Sequence, residues 1–327
     1  MIILKVNNLS IEEISKINRV VVDEISFSLK KGESLGIVGE SGSGKTVTAM
    51  SLLNLLSDDL RVSRGTVEFL GMNICKSSEK ELEKIRGNQF SIIFQNPISS
   101  LNPLMKVGKQ ILEVIKKHQN LNKKEELNRT FEVLSDVGFK DNFLEIFNKY
   151  PHELSGGQGQ RIGIAMAIAN NPKIIIADEP TTALDKDIEC QILKLLKDIQ
   201  KKYNTSIILI SHDLEVIKNF TDNSLIMYFG QIVESGPTKE IFSSPYHHYT
   251  KGLLDSLPRN FKKGEPIKVM KGGIPDINDR IEGCFFSPRC PMVTEFCKKN
   301  RVDYTLTEGN SRGIRCINPL KEIDYEK

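Results

Sequence analysis

Gly39 to Thr46 read GESGSGKT. An apolar run, Ser34 to Val38, leads into them and the helical spacing of Thr46 to Leu56 leads out, so the order is strand, glycine-rich loop, helix. In that setting the pattern G-x-x-x-x-G-K-S/T reads as a phosphate loop. Gly39, Gly42 and Gly44 let the backbone turn its N–H groups onto a β-phosphate at the positive end of the helix, and Glu40, Ser41 and Ser43 complete the cradle. Lys45 has the reach for the β- and γ-phosphates, and the Thr46 hydroxyl is suited to bind Mg²⁺.

Further along, Lys173 to Pro180 read KIIIADEP. A buried strand ending in two acids puts carboxylates at the carboxyl edge of a sheet, where open α/β folds bind their ligands. Asp178 is placed to join the Mg²⁺ shell and Glu179 to polarise an attacking water. Leu154 to Gln158 read LSGGQ and precede the helical stretch Gln160 to Ala169, which makes a second helix start with exposed N–H donors. One nucleotide does not need two such anion sites, so the second is best explained by a nucleotide held on a partner.

The remaining pattern organises the chain around these motifs. Val67 to Leu70 and Ser91 to Phe94 are expected short strands. Val107 to Lys117 and Glu125 to Val137 have helical spacing, so about 96–170 reads as an inserted helical subdomain. Lys173 to Ala177 and Ser206 to Ile210 are β-branched runs of the kind a sheet buried on both faces needs, with an amphipathic helix, Asp187 to Lys201, between them. After Phe242 the chain turns to Gly, Pro, Lys and Cys with weak periodicity, which sets a boundary near 243 and gives domains of 1–242 and 243–327.

Composition narrows the function classes. A chain of 327 residues suggests about two units at ~150 residues per domain. The charge balance, 45 basic against 42 acidic residues, gives no argument for nucleic acid as the main partner. No apolar run approaches the ~18 residues needed to cross a bilayer, and Met1 to Asn8 lacks the features of a secretory signal. Touching a membrane is then expected only through other proteins. Cys284, Cys290, Cys297 and Cys316 crowd the tail, but no pair has the two-to-four-residue spacing of common zinc sites. Four thiolates can hold Zn²⁺ or an iron–sulfur cluster, and unligated thiols are the third reading.

With the phosphate loop, the strand-end acids and LSGGQ in this order, the chain resembles the ATP-binding subunits of ABC transporters. In that family two ATPase subunits sandwich two ATP molecules, each between one subunit's phosphate loop and the other's LSGGQ. The resemblance implies an ABC-type phosphate-loop α/β core with an antiparallel β edge, an inserted helical subdomain and a small cysteine-bearing C-terminal extension. It implies that Ser155, Gly156, Gly157 and Gln158 touch the partner's nucleotide, and that Asp185, in the loop Ala183–Leu184–Asp185, crosses the dimer interface. Gln95 matches the glutamine that contacts Mg²⁺ and the attacking water, and His212 matches the histidine that contacts the γ-phosphate.

The closest likeness within that superfamily is to the D-type ATPase of oligopeptide and dipeptide importers. It is carried by GIVGESGSGKT, by IIFQNPISSLNP from Ile92, by PHELSGG from Pro151, by IADEPTTALD from Ile176 and by SPYHHYTKGLLDSLP from Ser244. That family implies ATP and Mg²⁺, a related but non-identical second ATPase, two permease subunits and an extracellular peptide-binding protein. It places the chain on the cytoplasmic face of the membrane, and it favours a 4Fe–4S cluster on Cys284, Cys290, Cys297 and Cys316 that would staple the extension. Alternatives are a same-family ATPase importing nickel or another small solute, a soluble ABC ATPase acting on nucleic acid or ribosomes, and a regulatory module that binds nucleotide without hydrolysis. The sequence departs from the family in having no aromatic residue before Phe27 to stack on adenine and in carrying Gly159 after LSGGQ. His247 and His248, where a His-Pro pair is usual, read as surface residues.

Overall fold

The β-branched runs form buried parallel strands, as a sheet covered on both faces requires. They belong to a computed structural model that describes residues 1–15, 19–182, 184–257, 270, 272–273, 281–307 and 311–321. Ala183 lies outside the described residues. Two units are present: Met1–Ile3, Leu29–Ser34 and Lys76–Ile210 form one, and Leu4–Ser28, Leu35–Cys75 and Ser211–Lys327 form the other.

In the first unit β6 (Phe90–Ile93), β7 (Ile174–Asp178) and β8 (Ser206–Ser211) pair in parallel, with Phe90 opposite Ile174 and Ile174 opposite Ser206. The crossover between β7 and β8 is α8 (Lys186–Tyr203), which buries Ile192, Leu195, Leu196 and Ile199 on one face. That spacing of three and four is what gives the helix an apolar stripe. Between β6 and β7 the chain is helical: α3 (Pro97–Ser100), α4 (Val107–His118), α5 (Lys123–Asp136), α6 (Phe143–Asn148) and α7 (Gly156–Ile168). Asn122 and Glu125 cap the start of α5 reciprocally. Arg129 on α5 donates to the carbonyls of Ala169 at 3.0 Å and Ile168 at 3.2 Å, satisfying the orphaned end of α7.

The second unit contains an antiparallel sheet of β2 (Val20–Lys30), β1 (Ile2–Glu13), β4 (Leu60–Phe69) and β5 (Met72–Asn73), in that order. This is the antiparallel edge that the family resemblance implies. The same unit holds β3 (Ser34–Val38), parallel to β9 (Asn223–Tyr228), which turns back as β10 (Gln231–Pro237). The tip of that hairpin is Phe229 at φ 46° and Gly230 at φ 80°, the left-handed pair that matches the twist of a two-residue connection.

The C-terminal segment continues outward from β10. Its strand β12 (Gly313–Ile314) pairs with Glu234 and Ser235 of β10, and β11 (Thr305–Leu306) pairs with β12. The join is reinforced by charge. Glu234 is fully buried, and its carboxylate accepts the N–H groups of Tyr246 at 2.8 Å and His247 at 3.0 Å and a bond from buried Arg312. The Arg312 guanidinium also lies 3.4 Å from the centre of the Tyr246 ring. Breaking such a pair leaves an uncompensated buried charge, at a cost of roughly 3–5 kcal/mol.

Two expectations for this segment are corrected. The cluster expected on Cys284, Cys290, Cys297 and Cys316 is not supported: among the described residues no group of three or more His, Cys, Asp or Glu is arranged to hold a metal ion. The four cysteines do line one cavity, but it measures only about 20 Å³, room for little more than a water. Burial, reinforced by the other cysteines, raises the pKa of Cys284, of Cys290 and, to about 12, of Cys316, so that without a metal these thiols are protonated. Hydrogen bonds, ion pairs and aromatic packing hold this segment instead. Likewise His247 and His248 are buried, at 2% and 8% exposure, because α11 (His248–Asp255) packs inward and the His247 Nδ1 caps it by accepting the Tyr249 N–H at 3.1 Å.

That cap makes stability pH-dependent. Burial, and next the charge of His248, push the His247 pKa from 6.5 down to about 3. Between those values the unfolded chain takes up a proton that the folded one refuses, so this contribution is complete above pH 6.5 and shrinks as pH falls. The slope is about 1.4 kcal/mol per pH unit. Urea unfolding from pH 7 to pH 4 is expected to lose stability more steeply for the native chain than for His247→Asn, which keeps a capping acceptor without the titration; equal slopes would contradict this assignment.

Candidate functional site

The phosphate loop emerges from β3, all of whose residues are buried, and runs into α1 (Lys45–Ser51). Gly42 and Gly44 take φ of 78° and 93°, a conformation that strains any residue with a Cβ. At Gly39 the constraint is one of approach: a Cβ there would stand 2.2 Å from the Met227 carbonyl oxygen and 2.6 Å from Ser43 Oγ. The hairpin tip backs the loop, with the Gly230 N–H donating to the Ser43 carbonyl at 3.1 Å. Lys45 is buried, and its Nζ donates to the carbonyls of Gly39 at 2.8 Å and Glu40 at 2.9 Å. The ammonium therefore lies across the mouth of the loop, with Thr46 next in the chain.

Glu40 faces the C-terminal segment. Its backbone N–H donates to the Tyr249 hydroxyl at 3.0 Å, and its carboxylate accepts both terminal nitrogens of Arg289, at 2.7 and 3.1 Å. Sequence reasoning missed Tyr249 and Arg289, and no local signal marks them, since they lie more than two hundred residues from Glu40 along the chain. His212, also in this unit, follows β8 immediately and is exposed, ahead of Asp213, which caps α9 (Leu214–Phe220).

The other unit carries the acids. Asp178 ends β7 and is 4% exposed, and Glu179 follows at φ 47°. A non-glycine residue in the left-handed region costs roughly 1–3 kcal/mol and persists only where its surroundings fix it. Here Gln95 Nε2 donates to Glu179 Oε2 at 3.0 Å, Thr182 Oγ1 donates to the same oxygen at 2.9 Å, and the Glu179 N–H donates to the Ile210 carbonyl at 3.0 Å. The structure thus joins Gln95 to Glu179, two residues that the sequence analysis named separately. Thr182 was not named; its place three residues after Glu179 was the available signal.

LSGGQ forms the start of α7 as a capping box. Ser155 Oγ accepts the Gln158 N–H at 3.3 Å, and the Gln158 side chain accepts the Ser155 N–H at 3.2 Å. A Cβ on Gly157 would come within 3.1 Å of Ile188, and one on Gly156 would meet Leu184 at 3.7 Å, so the helix start lies close against the segment that begins α8. Asp185 caps α8, accepting the Ile188 N–H at 2.9 Å. Gly159 serves packing: a Cβ there would stand 2.4 Å from Ile98 Cγ1. Gln95, Asn96, Ile98, Gly156, Thr182 and Leu184 face one open cleft of about 380 Å³. The glutamine that holds Glu179 and the first turn of the LSGGQ helix therefore share a surface.

Known proteins resemble this chain along most of its length. Residues 22–182 match the family model described as ABC transporter, and residues 233–297 match the model described as oligopeptide/dipeptide transporter, C-terminal region. The chain is 42% identical to the oligopeptide transport ATP-binding protein AppD of Bacillus subtilis, covering 96% of each chain. It is 43% identical to the dipeptide transport ATP-binding protein DppD of Haemophilus influenzae, covering 93% of each. With the oligopeptide transport ATP-binding protein OppD of Escherichia coli it shares 42% identity over 92% of this chain and 88% of that one. Among solved structures, the dimeric ATP-binding cassette MJ0796 bound to ADP and Pi superposes with a TM-score of 0.64 at 27% identity, over 72% of this chain and 99% of that chain. The structure of cbiO1 from Clostridium perfringens, part of the ABC transporter complex cbiONQ, gives 0.64 at 28% identity over 74% and 91%. Sustained identity across both matched regions makes this chain a member of the ABC transporter ATP-binding family, in the group of oligopeptide and dipeptide transport ATP-binding proteins.

Proposed function

We propose that this ATPase powers uptake of oligopeptides or dipeptides across the cytoplasmic membrane. The observation that carries the reading is the 42% identity to AppD sustained over 96% of the chain, C-terminal region included. Among the described residues no helix is long and apolar enough to cross a membrane, so the path for the peptide belongs to other subunits. We assign these as two permeases on whose cytoplasmic side the chain sits, with an extracellular peptide-binding protein delivering cargo and a second, non-identical ATPase subunit completing the pair. The ATPase domain spans 1–242, with a helical subdomain at about 96–170, and 243–327 form the extension.

The roles follow from the chemistry of each residue. N–H groups of the loop Gly39 to Gly44 hold the phosphates of ATP, apart from that of Glu40, which donates to the Tyr249 hydroxyl, and Lys45 pairs with the β- and γ-phosphates. The oxygens of Thr46, Gln95 and Asp178 are the hard donors that Mg²⁺ prefers, and the ion, when bound, neutralises phosphate charge. Glu179 takes the proton of the attacking water, with Gln95 and Thr182 aiming its carboxylate by hydrogen bonds. His212 contacts the γ-phosphate. Ser155, Gly156, Gly157, Gln158 and Asp185 face the nucleotide of the second subunit, where the capped start of α7 presents N–H donors to an anion.

Glu179→Gln keeps the hydrogen-bonding shape of the side chain and loses the base. ATP binding is expected to be retained while turnover in the assembled complex falls about 10²- to 10⁴-fold; undiminished hydrolysis would remove Glu179 from the role. Lys45→Ala is expected to weaken ATP binding, read by equilibrium titration, and an unchanged affinity would overturn the reading of the phosphate loop. Purification from the membrane fraction is expected to bring down two integral membrane subunits and a second ATPase, and vesicles holding that assembly are expected to accumulate peptide only when ATP is supplied on the cytoplasmic side. Accumulation of another solute with no response to peptide would refute the assignment of cargo.

A further inference from the structure

Arg289 belongs to the C-terminal extension, in the short turn Ser287–Arg289, yet it is engaged with the phosphate loop. Its side chain is only 4% exposed, and its two terminal nitrogens form a fork on the two oxygens of Glu40. A fork fixes direction as well as distance, which a single charge contact does not. The guanidinium is steadied from behind, with its centre 5.7 Å from the Tyr228 ring. Tyr228 in turn packs on Phe286 and Tyr249, at centroid distances of 5.3 and 4.7 Å. Tyr249, fully buried, takes the Glu40 N–H on its hydroxyl. Glu40 is therefore held by side chain and by backbone from the extension, while its carbonyl accepts Lys45.

The electrostatics give this arrangement a consequence. Glu40 brings a carboxylate into a loop whose work is to bind a polyanion, and like charges at short range repel strongly where water is scarce. Paired in a fork and turned toward the extension, that carboxylate is neutralised and kept off the loop's anion-binding side. We propose that Arg289 is a positioning residue for nucleotide binding: it draws the Glu40 carboxylate away from the phosphates, and with Tyr249 it fixes the Glu40 peptide so that the loop is already shaped for ATP. The extension thereby sets the affinity of a site to which it contributes no phosphate contact. This inference rests on the reading of Gly39 to Thr46 as the ATP-binding loop.

The test is equilibrium binding of MgATP to the full-length chain, with circular dichroism and thermal unfolding to establish that each variant is folded. Arg289→Ala is expected to raise the Kd about tenfold, equivalent to about 1.4 kcal/mol. Arg289→Lys, which keeps the charge without the fork, is expected to fall between the two. Removing the stranded carboxylate as well, in Arg289→Ala with Glu40→Gln, is expected to return the Kd to within about twofold of the native value. A residue that only filled space would not be rescued by removing a charge on its neighbour. A folded Arg289→Ala chain with native affinity overturns the proposal, and so does a double variant as weak as the single one. If Arg289→Ala alone does not fold, the double variant and Arg289→Lys still decide, since a folded double variant with tenfold weaker binding is the same refutation. Lys45→Ala, run alongside, separates the two levels: native affinity there would overturn the loop assignment itself, whereas loss of binding with Arg289→Ala unaffected overturns only the role of Arg289.

Discussion

At Gly39 the backbone of the phosphate loop passes so close to the Met227 carbonyl that a single added carbon would stand 2.2 Å from it. That approach is where a buried strand must end and a loop with inward-facing N–H groups must begin. The fixed points around it are backbone too: the Gly230 N–H on the Ser43 carbonyl, and the Gly230 carbonyl that accepts the Asp23 N–H from β2. Side chains enter only at the rim, where Lys45 reaches back across the opening and Glu40 is drawn outward. Backbone atoms make these contacts, so glycine is the residue that cannot be exchanged at Gly39.

Strain plays the corresponding part at the acids. Glu179 adopts a conformation that residues with a side chain avoid, and it does so between an acceptor from β8, the Ile210 carbonyl that takes its N–H, and two donors that converge on one carboxylate oxygen. Gln95 arrives from the end of β6 and Thr182 from the turn after β7. The carboxylate is aimed by residues from two different strand ends, so a shift of either would move the group assigned to take the proton.

Local pattern made much of this legible. The run Ser34 to Val38 is β3 to the residue, and the helix read over Val107 to Lys117 is α4 with one residue added. Apolar periodicity and glycine spacing report on neighbours in the chain, and these features depend on little else. What stayed hidden depends on residues far apart. Nothing near Glu40 announces Arg289, and nothing near His247 says that Glu234, Phe286 and Arg312 enclose the stretch around it. The cysteines misled for a different reason. The family resemblance favoured a cluster on them, whereas among the described residues no group of three or more His, Cys, Asp or Glu is arranged to hold a metal ion.

Gly159 was legible as a departure, but its reason lay in Ile98, whose side chain occupies the place where a Cβ would go. One helix turn on, Gly163 makes the same allowance for Pro97, where a Cβ would stand 2.9 Å away. The short helix after Gln95 is therefore seated in a notch cut into α7, and the two are fitted as key and lock. Positions 98 and 159 are therefore coupled by sterics: a bulkier residue at 159 requires the Ile98 side chain to move aside or to become smaller.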